Sequence, residues 1–118
     1  VADFFFLGEV HPPMQKVIPK GRKASETRKV IEGLMQRLEF DTANQGWTSE
    51  VIEGAIRAHC EKVGWKTKEL FMTVRLLVTG KTATPGLPES MAVLGKERVR
   101  RRFQMMQQAL KGYKPPKQ

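Results

Sequence analysis

The chain has 118 residues, 21 Lys plus Arg against 12 Asp plus Glu, a formal net charge of +9 and a pI near 10.1. This length suits one domain, or two small subdomains, and buries roughly 65% of its unfolded surface without staples. A single cysteine, Cys60, excludes an internal disulfide, a Cys-based zinc site and a CxxC redox pair. The two histidines, His11 and His59, are too far apart for HExxH, and no apolar run is long enough to span a membrane. Phe4 to Leu7 is too short, and lacks the preceding basic region, to be a signal peptide. The opening Val1-Ala2-Asp3 has no Met, so a piece of a longer chain is expected.

The excess charge is local. Residues 1–40 hold seven basic and five acidic side chains, residues 41–65 two and four, and residues 66–118 twelve and three. A basic half joined to a near-neutral half is the footprint expected of a polyanion binder.

In chain order, residues 1–23 read as a connector to an earlier part of the domain. Phe4, Phe5 and Phe6 would either pack on a neighbouring domain or form an exposed patch. Gly8 to Arg22, with prolines at 12, 13 and 19, reads as loop. Residues 24–112 read as a helical subdomain, because apolar residues recur there at helical spacing with no period-2 run. The spacing predicts a first helix over Ser25 to Phe40, capped by Ser25. Its stripe is Val30, Ile31, Leu34, Met35 and Leu38, with Gly33 turned away. A second helix is predicted over Ser49 to Val63, capped by Thr48, with Ile52, Ile56, His59 and Val63 inward. A third is predicted over Lys68 to Thr79, capped by Thr67. A fourth covers Pro88 to Leu94, and a fifth Lys96 to Lys111 with Val99, Phe103, Met106 and Leu110 inward. Gly64, Gly80, Gly95 and Gly112 stand where left-handed caps would end helices. Residues 113–118 read as a disordered basic tail. The fold class is therefore all-α, a small bundle of about five helices.

No catalytic constellation is present: there is no G-x-S-x-G, no P-loop and no GxGxxG. His59 and Cys60 read as core residues, and Trp47 and Trp65 as core or staple residues. The run Lys96-Glu97-Arg98-Val99-Arg100-Arg101-Arg102 puts five cations in seven residues. Arg98 and Arg101 fall opposite the apolar stripe, Arg100 to one side, and Arg102 at the apolar edge. Lys96, Arg98, Arg100, Arg101 and Arg102, with Lys81, are candidates for RNA backbone contact, which positions a protein without reading sequence. Arg75 lies off its helix stripe. The Gly- and Pro-punctuated loop after Gly80 leads directly to the next helix, where an anion or a base edge is well received.

Several residues carry a family resemblance. Arg75 to Gly80, then Thr84-Pro85-Gly86-Leu87, Met91 to Leu94, Gly95-Lys96-Glu97-Arg98-Val99 and Arg102 resemble an R-x-x-x-T-G … P-x-L … L-G-K-E-R … R pattern. That pattern lies near the end of bacterial-type glutamyl-tRNA synthetases. Phe4 to Phe6, Trp47-Thr48 and Val63 to Lys66 also fit. The resemblance implies an anticodon-binding domain of a class I aminoacyl-tRNA synthetase, in which Arg75, Thr84, Pro85, Gly86 and Leu87 read anticodon bases. The parent would be a glutamate–tRNA ligase using ATP and Mg2+; the chain itself would hold no cofactor or metal and no catalytic site. Its partners would be the tRNA anticodon stem-loop and the parent's catalytic domain, with no membrane, as a cytoplasmic monomer. The alternative is a non-enzymatic basic helical module that binds RNA or anionic surfaces by charge alone.

Overall fold

The structure, a computed structural model, describes residues 14–81 and 86–113. Among them it has helices and no strand: α1 (Met14–Val17), α2 (Ala24–Gln45), α3 (Ser49–Val63), α4 (Thr67–Thr79), α5 (Leu87–Leu94) and α6 (Lys96–Gly112). The all-α class is as the periodicity predicts. Phe4 to Phe6, the first part of the connector, Thr84, Pro85 and residues 114–118 of the tail lie outside the described residues.

Helix α2 is the longest, and it packs along both α3 and α6. Its inward residues Val30, Ile31, Leu34, Met35 and Leu38 are buried, as their spacing predicts. They meet Ile52, Ala55 and Ile56 of α3, Leu70, Val74, Leu76 and Leu77 of α4, and Val99, Phe103, Met106 and Leu110 of α6 in one core. Helix α5 lies against α3, α4 and α6, where it buries Leu87 and Met91. The Trp47 indole Nε1–H donates to the Met91 carbonyl at 2.9 Å, which ties the start of α3 to the end of α5.

Four local expectations are corrected. Helix α2 begins before Ser25, at Ala24, with Lys23 at the N-cap and no side-chain cap; it also continues past Phe40 to Gln45. Helix α4 is not capped by Thr67, which is its first helical residue. The Glu69 carboxylate instead accepts from the Lys66 amide at 3.0 Å. The stretch read as loop contains α1, held from a distance by the Thr73 hydroxyl, which donates to the Val17 carbonyl at 2.7 Å. Gly33 does not face away: a Cβ there would come within 3.1 Å of His59 Cε1. The missing side chain lets α3 approach α2, and the His59 Nε2 can then donate to the Val30 carbonyl at 3.0 Å.

The cap of α3 is as expected, with the Thr48 hydroxyl accepting from the Val51 amide at 3.3 Å. Of the glycine caps, Gly64 and Gly80 are left-handed. Gly112 lies inside α6 and takes no positive φ. Gly95 is different again. Alone between two helices, at φ 93° and ψ 153°, it donates to the Met91 carbonyl of α5 and accepts from the Val99 amide of α6. A side chain at that φ is strained, which is why glycine stands there.

Candidate nucleic-acid interface

The expected base-reading residues sit where α4 ends and α5 begins. Arg75 is half-buried, one turn before the last residue of α4. The spacing Arg75-x-x-x-Thr79-Gly80 has a local cause. Thr79 is buried, and its hydroxyl donates to the Arg75 carbonyl at 2.7 Å and accepts from the Lys81 amide at 3.1 Å. One side chain thus closes the last turn and fixes how the chain leaves it. Gly80 supplies the left-handed cap, donating to the Leu76 carbonyl at 2.8 Å. Thr79 is not among the residues expected to form the site, although its four-residue spacing from Arg75 is the signal for a hydroxyl that bonds back along a helix.

Gly86 is the N-cap of α5, in extended backbone, and its carbonyl accepts from the Ser90 amide at 2.9 Å. A Cβ on Gly86 would collide with the Glu89 carboxylate, which folds back over it. That carboxylate occupies the positive end of the α5 dipole. Leu87 is 1% exposed. Its side chain belongs to the core, so only its backbone is left for the base reading that the resemblance implies.

The cations divide into three kinds. Lys81, Arg98 and Arg101 are exposed and Lys96 half-exposed, and none of them makes an ion pair among the described residues. Arg100 is engaged: its Nε donates to Glu39 of α2 at 2.9 Å and its Nη1 to Glu97. The Glu39 bond, then the Glu97 bond, raise its pKa above the ordinary arginine value. Arg100 is a staple between α6 and α2.

Arg102 corrects the expectation most sharply. It is 3% exposed, and its Nη1 donates to the Val78 carbonyl at 2.7 Å. Burial, and then the nearby Arg98 charge, lower its pKa from the ordinary value. A side chain in that position faces the core of the protein and not an RNA phosphate. The sequence does hold a signal: position 102 is three residues after Val99 and four before Met106, so it falls inside the apolar stripe.

His59, Cys60 and Arg22 are held by contacts within the fold. His59 is buried, and burial lowers its pKa; its ring also lies near the Arg37 and Lys62 charges, which lower it further. Burial likewise raises the pKa of the Cys60 thiol, which keeps it protonated and inert. Arg22 stacks over the Trp65 ring at 4.7 Å and pairs with Glu26 and Glu69, knotting the start of α2 to the start of α4. Among the described residues no group of three His, Cys, Asp or Glu could hold a metal ion, and no helix is long and apolar enough to cross a membrane.

The chain as a whole is similar to known proteins. Residues 1–106 match the family described as "Anticodon binding domain". The chain is similar to the glutamate–tRNA ligase of Roseiflexus sp. (strain RS-1), 34% identical over 108 residues that cover 92% of this chain and 21% of that protein. It is also similar to the glutamate–tRNA ligase of Bacillus pumilus (strain SAFR-032), 32% identical over 90% of this chain and 21% of that protein. A third, from Halalkalibacterium halodurans, is 40% identical over 65% of this chain and 15% of that protein. The chain spans about a fifth of the length of the first two.

Proposed function

The chain belongs to the anticodon binding domain family, and from that premise we propose that it recognises the anticodon stem-loop of a tRNA as part of a glutamate–tRNA ligase. The parent chain attaches glutamate to tRNA in a catalytic part that uses ATP and Mg2+, and this chain supplies recognition. The family match over residues 1–106 carries the reading. The arrangement of groups supports it: the last turns of α4 carry a half-buried arginine, Lys81 just beyond is exposed, and α6, which packs on α4, carries exposed cations in its first turns.

The division of labour follows from chemistry. Sequence in RNA is read mainly on unstacked bases of single-stranded loops. Arg75 carries a planar guanidinium suited to a base edge, and Thr84, Pro85 and Gly86 are the other residues assigned to base reading. Lys81, Lys96, Arg98 and Arg101 hold phosphates, adding affinity that falls with salt. The catalytic part of the parent chain is the second partner, joined to this module covalently.

The test is a titration of the chain with an anticodon stem-loop, followed by amide signals. Shifts at Arg75 and Gly86 that need the right anticodon bases are expected. Equal shifts with any RNA, confined to the Lys- and Arg-rich segments, would mean a charge-driven binder and sink the reading. Arg75→Ala should weaken recognition at one anticodon position by about 1–3 kcal/mol. Arg101→Ala should weaken all RNA alike and flatten the salt dependence by about 0.7–0.9 in slope.

A further inference from the structure

Arg102 is an arginine inside the core, between buried Val99 and Met106 and beside Phe103. An isolated guanidinium there would be costly. Its partner explains why it is tolerated. Val78 lies in the last turn of α4, whose final carbonyls have no partner within the helix and form the negative end of its dipole. Arg102 donates to one of them, so a cation from α6 caps the C-terminus of α4.

This contact has a geometric consequence. Arg75 lies less than one turn before Val78 on α4, and Arg98 one turn before Arg102 on α6. Both helices are stiff and pack on each other, so a short polar bond between them, in an apolar seam, helps to fix the spacing and register of their outer faces. We propose that Arg102 is a positioning residue for anticodon recognition: its bond to the Val78 carbonyl holds the base-reading end of α4 in register with the phosphate-holding face of α6. The inference rests on the proposed roles of Arg75, Arg98 and Arg101. It also separates Arg102 from its neighbours in the basic run. A phosphate ligand tolerates lysine, since a point charge suffices; at a buried position whose Nη1 holds a backbone carbonyl, the compact and strongly hydrated ammonium of lysine is a poorer fit.

The experiment uses the whole 118-residue chain with Arg102→Lys, Arg102→Met and Arg101→Met. Affinity for an anticodon stem-loop, and for the same stem-loop with one anticodon base changed, is measured over a range of salt concentrations. Arg102→Lys is expected to lose at least fivefold of the discrimination between the two RNAs while its salt slope stays at the wild-type value. Arg101→Met should do the reverse, lowering the slope by about 0.7–0.9 and keeping the discrimination. In the RNA-free chain, Arg102→Lys should shift the amide signals of Val78 to Lys81.

Arg102→Lys with wild-type discrimination, or Arg102→Met with the reduced slope of Arg101→Met, overturns the proposal. The lysine variant keeps the charge but not the guanidinium, so it remains decisive even if Arg102→Met fails to fold. A wild-type chain that binds both stem-loops equally overturns the anticodon reading itself. Unchanged Val78 to Lys81 signals in the RNA-free variant overturn the Arg102 contact alone.

Discussion

His59 and Arg102 each reach across a seam between helices to a backbone carbonyl, but the two carbonyls differ. Val30 lies in the interior of α2, where its oxygen already serves the helix, and His59 adds a second donor to it at 3.0 Å. Val78 lies in the last turn of α4, and Arg102 supplies what the helix end lacks. The first seam needs a neutral ring and a glycine opposite it. The second needs a permanent charge set against a dipole. Accordingly the α2–α3 seam belongs to the part of the chain with little net charge and serves packing, while the α4–α6 seam lies under the basic surface and sets its shape.

Breaking that contrast begins with the core beneath the second seam. Phe103→Ala removes a fully buried ring from α6 and should cost about 3–5 kcal/mol of stability in denaturant melts. It should also weaken anticodon stem-loop binding beyond what the unfolded fraction explains. Gly33→Val drives a branched side chain into His59 and should cost about 1–3 kcal/mol. Here the folded fraction should bind the stem-loop normally; weakened binding would mean that the two seams are mechanically joined. Trp47→Phe removes the donor to the Met91 carbonyl and should cost about 0.5–1.5 kcal/mol, a measure of how firmly α5 is tied to α3.

The smallest effect is set by pH. Burial first, then Arg37 and Lys62, lower the folded pKa of His59 from 6.5. The unfolded chain therefore takes up a proton before the folded one does. Stability is full above about pH 6.5 and falls as pH drops from there through the folded pKa. Denaturation midpoints at pH 7.5 and pH 5.5 should differ for this reason, and the His59→Leu variant should lose that part of the difference. Arg102 contributes nothing to it, since arginine stays charged throughout. A pH-dependent change that persists in full in the leucine variant would assign the titration to another group.

How legible each seam is in the sequence follows from what carries the signal. Apolar periodicity repeats over many residues, so the stripes of α2, α3 and α6 can be read from the chain. Gly33 has no hydrophobic signal, and its purpose depends on a ring 26 positions later. Arg102 looks like one more cation in a basic run, because its composition speaks louder than its place between Val99 and Met106. Helix α1 is hidden for a third reason: its partner Thr73 is 56 residues away. The cap residues Ser25 and Thr67 are of the right type, but a type is a propensity, and the Glu69 carboxylate takes the Lys66 amide instead. At the proposed interface, Arg75 stands in the last turns of α4, Gly86 at the N-cap of α5, and Lys81, Arg98 and Arg101 are exposed. The engagement of Arg100, the burial of Leu87 and the hidden role of Thr79 come from contacts that only the folded chain makes.

Gly95 gives the α5–α6 joint a further property. The two helices share a single linking residue, so the joint has no slack, in contrast to the three-residue links at 46–48 and 64–66. An inserted residue there could be taken up only by rotating α6 through roughly 100° or by unwinding its first turn. The rotation would draw Arg102 out of the core and carry Arg98 and Arg101 to another side of the domain. The joint thus sets the phase of α6 as a keyed shaft sets a gear, and chain length at this one point is as much a determinant of the surface as the residues on it.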